Sequence, residues 1–78
     1  MTNRERLIAE LMRWDRMAVV QGLCESRRWI WRVIDALEGR PLDERAAAWL
    51  RGIDQTPTVL EIREELGIDE APMWARSA

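Results

Sequence analysis

Histidine, tyrosine, phenylalanine and lysine are all missing from this 78-residue chain, and cysteine occurs once, at Cys24. One cysteine cannot close an internal disulfide, and without histidine the common zinc-ligand sets cannot be assembled. The same lack removes serine–histidine and cysteine–histidine catalysis, together with the side chain that most often moves protons near neutral pH. Fourteen carboxylates remain, an ordinary surface complement. The expectation is a protein that is not an enzyme and holds no metal or cofactor. No stretch approaches the ~20 consecutive apolar residues of a membrane span, and Met1-Thr2-Asn3-Arg4-Glu5-Arg6 lacks the apolar segment of a secretory leader. A cytoplasmic setting is expected, in which Cys24 reads as a small core hydrophobe rather than a reactive thiol.

The chain that remains is 47% apolar and 33% charged, with a net charge of −2. That is too hydrophobic and too periodic for a disordered polymer. A core of this size rarely supplies more than roughly 3–5 kcal/mol, so a staple, a metal or a partner chain is expected, and the first two look absent. All twelve cationic residues are arginine. A GC-rich coding genome explains this blandly, and their spread along the chain favours that explanation. The functional alternative is arginine's preference for interfaces and phosphates.

Thr2-Asn3-Arg4-Glu5 fits a capping box, so a helix should begin there and run to about Gln21. Leu7, Leu11, Trp14 and Ala18 form one stripe, and Ile8, Met12 and Val19 form a second. Asp15 falls between the stripes, a carboxylate in an apolar arc. The bland expectation is an aspartate at a helix bend or rim; otherwise it should pair with an arginine, with Arg32 as a candidate, or lie on an exposed seam between two apolar contacts. Gly22 breaks the pattern, and Ser26 can cap a second helix with a core stripe of Trp29, Ile30, Val33, Ile34 and Leu37. Gly39 and Pro41 stop that helix. Its opposite face carries Arg27, Arg28, Trp31, Arg32 and Asp35. Asp43 can cap a short third helix with Ala46, Trp49 and Leu50 inward and the small Ala47 and Ala48 allowing close approach, ending at Gly52. Thr58-Val59-Leu60-Glu61 is a second capping-box match, opening a fourth helix with Val59, Ile62 and Leu66 inward and Gly67 as its stop.

No alternating run reads as strand. The fold expected is all-α, a compact array of four short helices over residues 1–68, followed by a short tail, 69–78, that packs back or meets a partner. Trp14, Trp29 and Trp49 are expected in the core, leaving Trp31 and Trp74 as anchors.

Two uses of this surface compete. Ala18-Val19-Val20-Gln21-Gly22-Leu23 has the spacing of a helix-turn-helix, and the next helix opens Ser26-Arg27-Arg28 with Trp31 and Arg32 outward, as a DNA-reading helix would. Pro57–Ile68 resembles the segment opening the helix-turn-helix of LexA-type repressors, where an apolar-periodic helix ends in Leu-Gly-Ile. The resemblance covers those twelve residues alone. Where a recognition helix would follow, the chain turns to Asp69-Glu70-Ala71-Pro72, so the family is not assigned. Residues 1–40 hold eight arginines and six acids, net +2, and residues 41–78 hold four arginines and eight acids, net −4. Duplex affinity rests largely on phosphate neutralisation, so this balance would require a dimer or a focused face.

The preferred reading is protein binding. Tryptophan and arginine dominate interface hot spots, and Trp31 among Arg27, Arg28, Arg32 and Asp35 has that composition, with Met73 and Trp74 in the tail as a second anchor. In the competing reading Trp31 stacks on its own arginines and Trp74 closes the core. The partner expected is a protein, with a homodimer as one form and DNA as the runner-up ligand. The role expected is that of a small regulator, inhibitor or assembly factor of the kind phages and mobile elements encode.

Overall fold

The structure, a computed structural model, describes residues 1–68. Four helices make up most of them: α1 Asn3–Gln21, α2 Cys24–Leu37, α3 Glu44–Gly52 and α4 Pro57–Leu66. The described residues contain no strand, and the protein is all-α. Met73 and Trp74 lie outside the described residues.

Local chemistry sets most of the boundaries. The Thr2 hydroxyl accepts from the Glu5 N–H at 3.1 Å, capping α1 as its sequence indicates. At the other end Gly22 is left-handed, with φ 72°. The Leu23 N–H donates to the Ala18 carbonyl and the Gly22 N–H to that of Val19, a Schellman closure that satisfies the last carbonyls. The same pair of bonds closes α2 at Gly39 and Arg40, and α4 at Gly67 and Ile68. Three of the four expected glycine stops are thus used. The Asp43 carboxylate caps α3 by accepting from the Arg45 N–H at 2.7 Å. α3 includes Gly52 and takes Ile53 as its C-cap, one residue beyond the expected stop.

Two caps differ from expectation. α4 is capped by Thr56, whose hydroxyl accepts from the Val59 N–H at 3.3 Å, and Thr58 lies inside the helix. Pro57 is the reason: its fixed φ and missing N–H suit the first helical position, which makes the residue before it the cap. α2 begins at Cys24 with Leu23 as N-cap and no side-chain cap, so Ser26 is already helical. The Schellman turn at Gly22 reverses the chain within two residues, and the second helix starts before Ser26 is reached. This places Cys24 on the exposed side of the first turn, and the expectation of a core cysteine is wrong.

α1 and α2 form an antiparallel hairpin. The Arg4 guanidinium donates to the Leu37 carbonyl at 3.2 Å, and the Arg27 guanidinium donates to Asp15 at 2.9 Å. The two ties are separated by about 16 Å along each helix, at ~1.5 Å rise per residue. α3 packs on α2, and α4 touches both helices of the hairpin.

The core is Leu7, Leu11 and Ala18 of α1, Ile30, Val33, Ile34 and Leu37 of α2, Ala46 and Leu50 of α3, and Val59 and Ile62 of α4. Each buried Leu, Ile or Val contributes about 1.5–3 kcal/mol of transfer free energy. Trp14, Trp29 and Trp49 are half-buried and pack against this core rather than forming its centre. Ala47 is buried and Ala48 exposed, so only the first allows close approach. Arg4 also donates to Glu65 at 2.9 Å, and Arg6 pairs with Glu61. Together they bind α4 to the start of α1.

Candidate interaction face

The two stripes of α1 have different fates. Leu7, Leu11 and Ala18 are buried, whereas Met12 and Val19 of the second stripe are exposed and Ile8 is half-buried. The outward side of α1 therefore carries apolar residues that no described element covers. Of the eight exposed large hydrophobics among the described residues, six fall between the middle of α1 and the middle of α2: Met12, Met17, Val19, Val20, Leu23 and Trp31. Val20 is 87% exposed and Met17 59%. Single exposed hydrophobics are normal on a soluble protein; six within twenty residues form a patch.

Surface relief gives this patch a shape. At one side, Trp14 and Met17 of α1, Leu23 of the turn, Ile30 of α2, and Trp49 and Ile53 bound an apolar groove of about 280 Å³. A second depression on α1, between Arg16, Met17, Val20 and Gln21, shares Met17 and Gln21 with the groove. A third, between Met12, Asp15, Arg16 and Trp31, shares Arg16 with the second. The three form one band that crosses the outer face of α1 from Trp49 to Trp31. Its floor is open and mostly apolar, so it cannot enclose a small molecule as a pre-formed ligand pocket does. It can receive side chains from another macromolecule.

Asp15 sits at the edge of this band and is only 8% exposed, neither at a rim nor on an exposed seam. Its partner is Arg27 and not Arg32. The antiparallel register places Arg27 opposite Asp15, while Arg32, five residues on, faces outward. The Arg27 guanidinium, chiefly through its hydrogen bond, holds the Asp15 carboxyl below its ordinary value; burial opposes this, and the Trp31 side chain adds a smaller lowering contribution. Asp15 in turn raises the affinity of Arg27 for its proton. Among the described residues no buried side-chain polar atom lacks a partner.

The residues expected on the outer face of α2 divide accordingly. Trp31 is 43% exposed, and Arg28 and Arg32 are exposed. Arg27 is committed to Asp15. Asp35 is half-buried and pairs with Arg40 at 3.1 Å, a contact made when the chain turns back after Gly39. The sequence reading left out Met17 and took Val20 and Leu23 only as parts of a helix-turn-helix spacing, not as an exposed apolar face. Their signal was available, since all three lie off the core stripe yet are apolar.

Among the described residues no group of three histidine, cysteine, aspartate or glutamate side chains is gathered to hold a cation, and no helix is long and apolar enough to cross a membrane. Comparison with known proteins finds no matching family model, curated protein or solved structure.

Proposed function

We propose that this protein is a small, non-enzymatic helical binding protein, acting as a regulator, inhibitor or assembly factor by docking another protein on the outer face of the α1–α2 hairpin. One observation carries the reading: six exposed large hydrophobics are concentrated between Met12 and Trp31, on a face that no described element covers. Burying such a patch against a partner recovers transfer free energy that the four described helices do not recover among themselves, and an aromatic anchor with arginines beside it suits an interface core.

The geometry disfavours DNA reading by α2. A DNA-binding helix-turn-helix sets its two helices at about 90–120° through a three- or four-residue turn. Here α1 and α2 run antiparallel through Gly22 and Leu23, and Arg27, at the start of the second helix, is occupied by Asp15.

A photo-crosslinking amino acid placed at position 20, followed by purification from cells that encode the protein, tests the reading. The expected product is one stoichiometric protein adduct, lost on Trp31→Ala or Met17→Asp while the helical circular dichroism stays unchanged. Recovery of nucleic acid in place of protein, or of the same adducts from both variants, would overturn it.

A further inference from the structure

The free arginines of the hairpin are gathered at one place. Residues 1–40 contain eight arginines. Five are committed: Arg4 to Glu65, Arg6 to Glu61, Arg13 to Glu10, Arg27 to Asp15, and Arg40 to Asp35 and Glu38. The other three, Arg16, Arg28 and Arg32, make no ion pair with a described residue, and all three surround Trp31. Arg16 lines the same depression as Trp31. Arg28 and Arg32 stand three residues before and one residue after it on α2, and both are exposed.

The carboxylates facing this area do not cancel the charge. Asp15 is neutralised by Arg27 and Glu10 faces Arg13; Asp35, on the same face of α2, shares Arg40 with Glu38 and leaves one negative charge, and Glu25 on the first turn adds a second, against three arginines. A chain of net charge −2 thus carries a local positive field around an exposed indole and Met12.

We infer that the partner segment docking on this face is acidic, with carboxylates meeting Arg16, Arg28 and Arg32 and an apolar residue seated between Met12 and Trp31. The inference rests on the docking reading above and names its partner's chemistry. Guanidinium groups bind carboxylates through paired, charge-assisted hydrogen bonds, and complementary fields steer encounter and fix register. Phosphate would satisfy the arginines equally well but would leave Met12, Val19 and Val20 in water, and the net −4 of residues 41–78 repels a long polyanion. A second copy meeting this face with the same apolar face would set its own Arg16, Arg28 and Arg32 against these three arginines, which like-charge repulsion disfavours.

The test uses the full chain, uniformly labelled with nitrogen-15. The indole N–H of Trp31 is assigned by its loss in Trp31→Phe. The probe is a synthetic amphipathic helix with leucines along one stripe flanked by glutamates, compared with the same peptide carrying glutamines and with one carrying lysines. The glutamate peptide should shift the Trp31 resonance saturably, and the glutamine peptide should bind about tenfold more weakly. The Arg16→Glu, Arg28→Glu, Arg32→Glu triple variant, its fold checked by circular dichroism, should reverse the preference towards the lysine peptide.

Equal binding of the glutamate and glutamine peptides overturns the acidic-segment inference while leaving docking intact. Failure of every peptide to move Trp31 overturns it as well, and the crosslink at position 20 then decides separately whether the face docks a protein. A duplex oligonucleotide that shifts Trp31 at lower concentration than the glutamate peptide, or an adduct formed with a second copy, overturns both the inference and the choice of partner.

Discussion

The Nε of Arg27 lies 2.9 Å from Oδ1 of Asp15, and this contact clasps the turn end of the α1–α2 hairpin beside the exposed Trp31, while Arg4 ties the open end. Asp15 looks misplaced in an apolar arc when α1 is taken alone. In the hairpin it is a buried acceptor served by a half-exposed guanidinium, with the indole of Trp31 alongside. The pair therefore supports the shape of the proposed docking face as well as the fold.

Arg27→Ala should lower the urea midpoint clearly, because it leaves the Asp15 carboxylate buried and unpaired, whereas Arg28→Ala and Arg32→Ala, on exposed and unpaired side chains, should leave it nearly unchanged. Pairing Arg27→Ala with Asp15→Ala should cost less than the two single changes added together. Strict additivity in that cycle would show that the contact does not hold the hairpin.

Acid should weaken the protein through two carboxylates. Asp15 and Glu65 are both held below their ordinary values of 3.8 and 4.5, Asp15 by Arg27 and Glu65 chiefly by Arg4 and then Asn3. A carboxyl with a lowered folded-state pKa binds fewer protons folded than unfolded, so its stabilisation is complete above the ordinary value and is lost as pH falls through the folded value. Urea midpoints measured from pH 7 downward should hold until about pH 5 and then decline. Asp15→Asn should flatten the decline, and a midpoint that rises on acidification would contradict both pairings.

The two threonines near the start of α4 make a sharp comparison. Thr56→Ala removes the cap bond to Val59 and should cost about 1 kcal/mol, whereas Thr58→Ala, inside the helix, should stay within about 0.5 kcal/mol of the parent. Chemical denaturation of the two variants distinguishes them, and equal losses would place the cap elsewhere.

Glycine substitutions should change sign with backbone conformation. At Gly22 a Cβ meets nothing within 4 Å, but φ is +72°, so Gly22→Ala should destabilise by about 1–2 kcal/mol. Gly52 has equally open surroundings and no positive φ, and it lies in the last turn of α3. Gly52→Ala should therefore stabilise by about 0.4–1 kcal/mol. Thermal melts of both variants would check the opposite directions.

Core and face should separate in the same way. Leu11→Ala, at a fully buried position, should cost about 2–5 kcal/mol, a large share of the stability of so small a domain. Val20→Ser, 87% exposed, should change stability by less than about 0.5 kcal/mol. A Val20→Ser variant as unstable as Leu11→Ala would mean that the outer face of α1 is covered within the protein itself.

The parts of this protein that depend on neighbours within a few residues were readable from sequence. Periodicity marked the four helices and most of the core, Thr2 and Asp43 marked two starts, and Gly22, Gly39 and Gly67 marked three stops, because caps and left-handed turns are local chemistry. Even the local misreading at Thr58 has a local remedy, since Pro57 points to Thr56. Tertiary structure decided what depends on register between helices. The two-residue reversal at Gly22 set α1 against α2 so that Arg27, and not Arg32, reached Asp15, and turned Cys24 outward. It also left Met17, Val20 and Leu23 bare beside Trp31. An apolar side chain carries no record of whether its stripe will be covered, and that is settled only when the helices that could cover it have packed elsewhere.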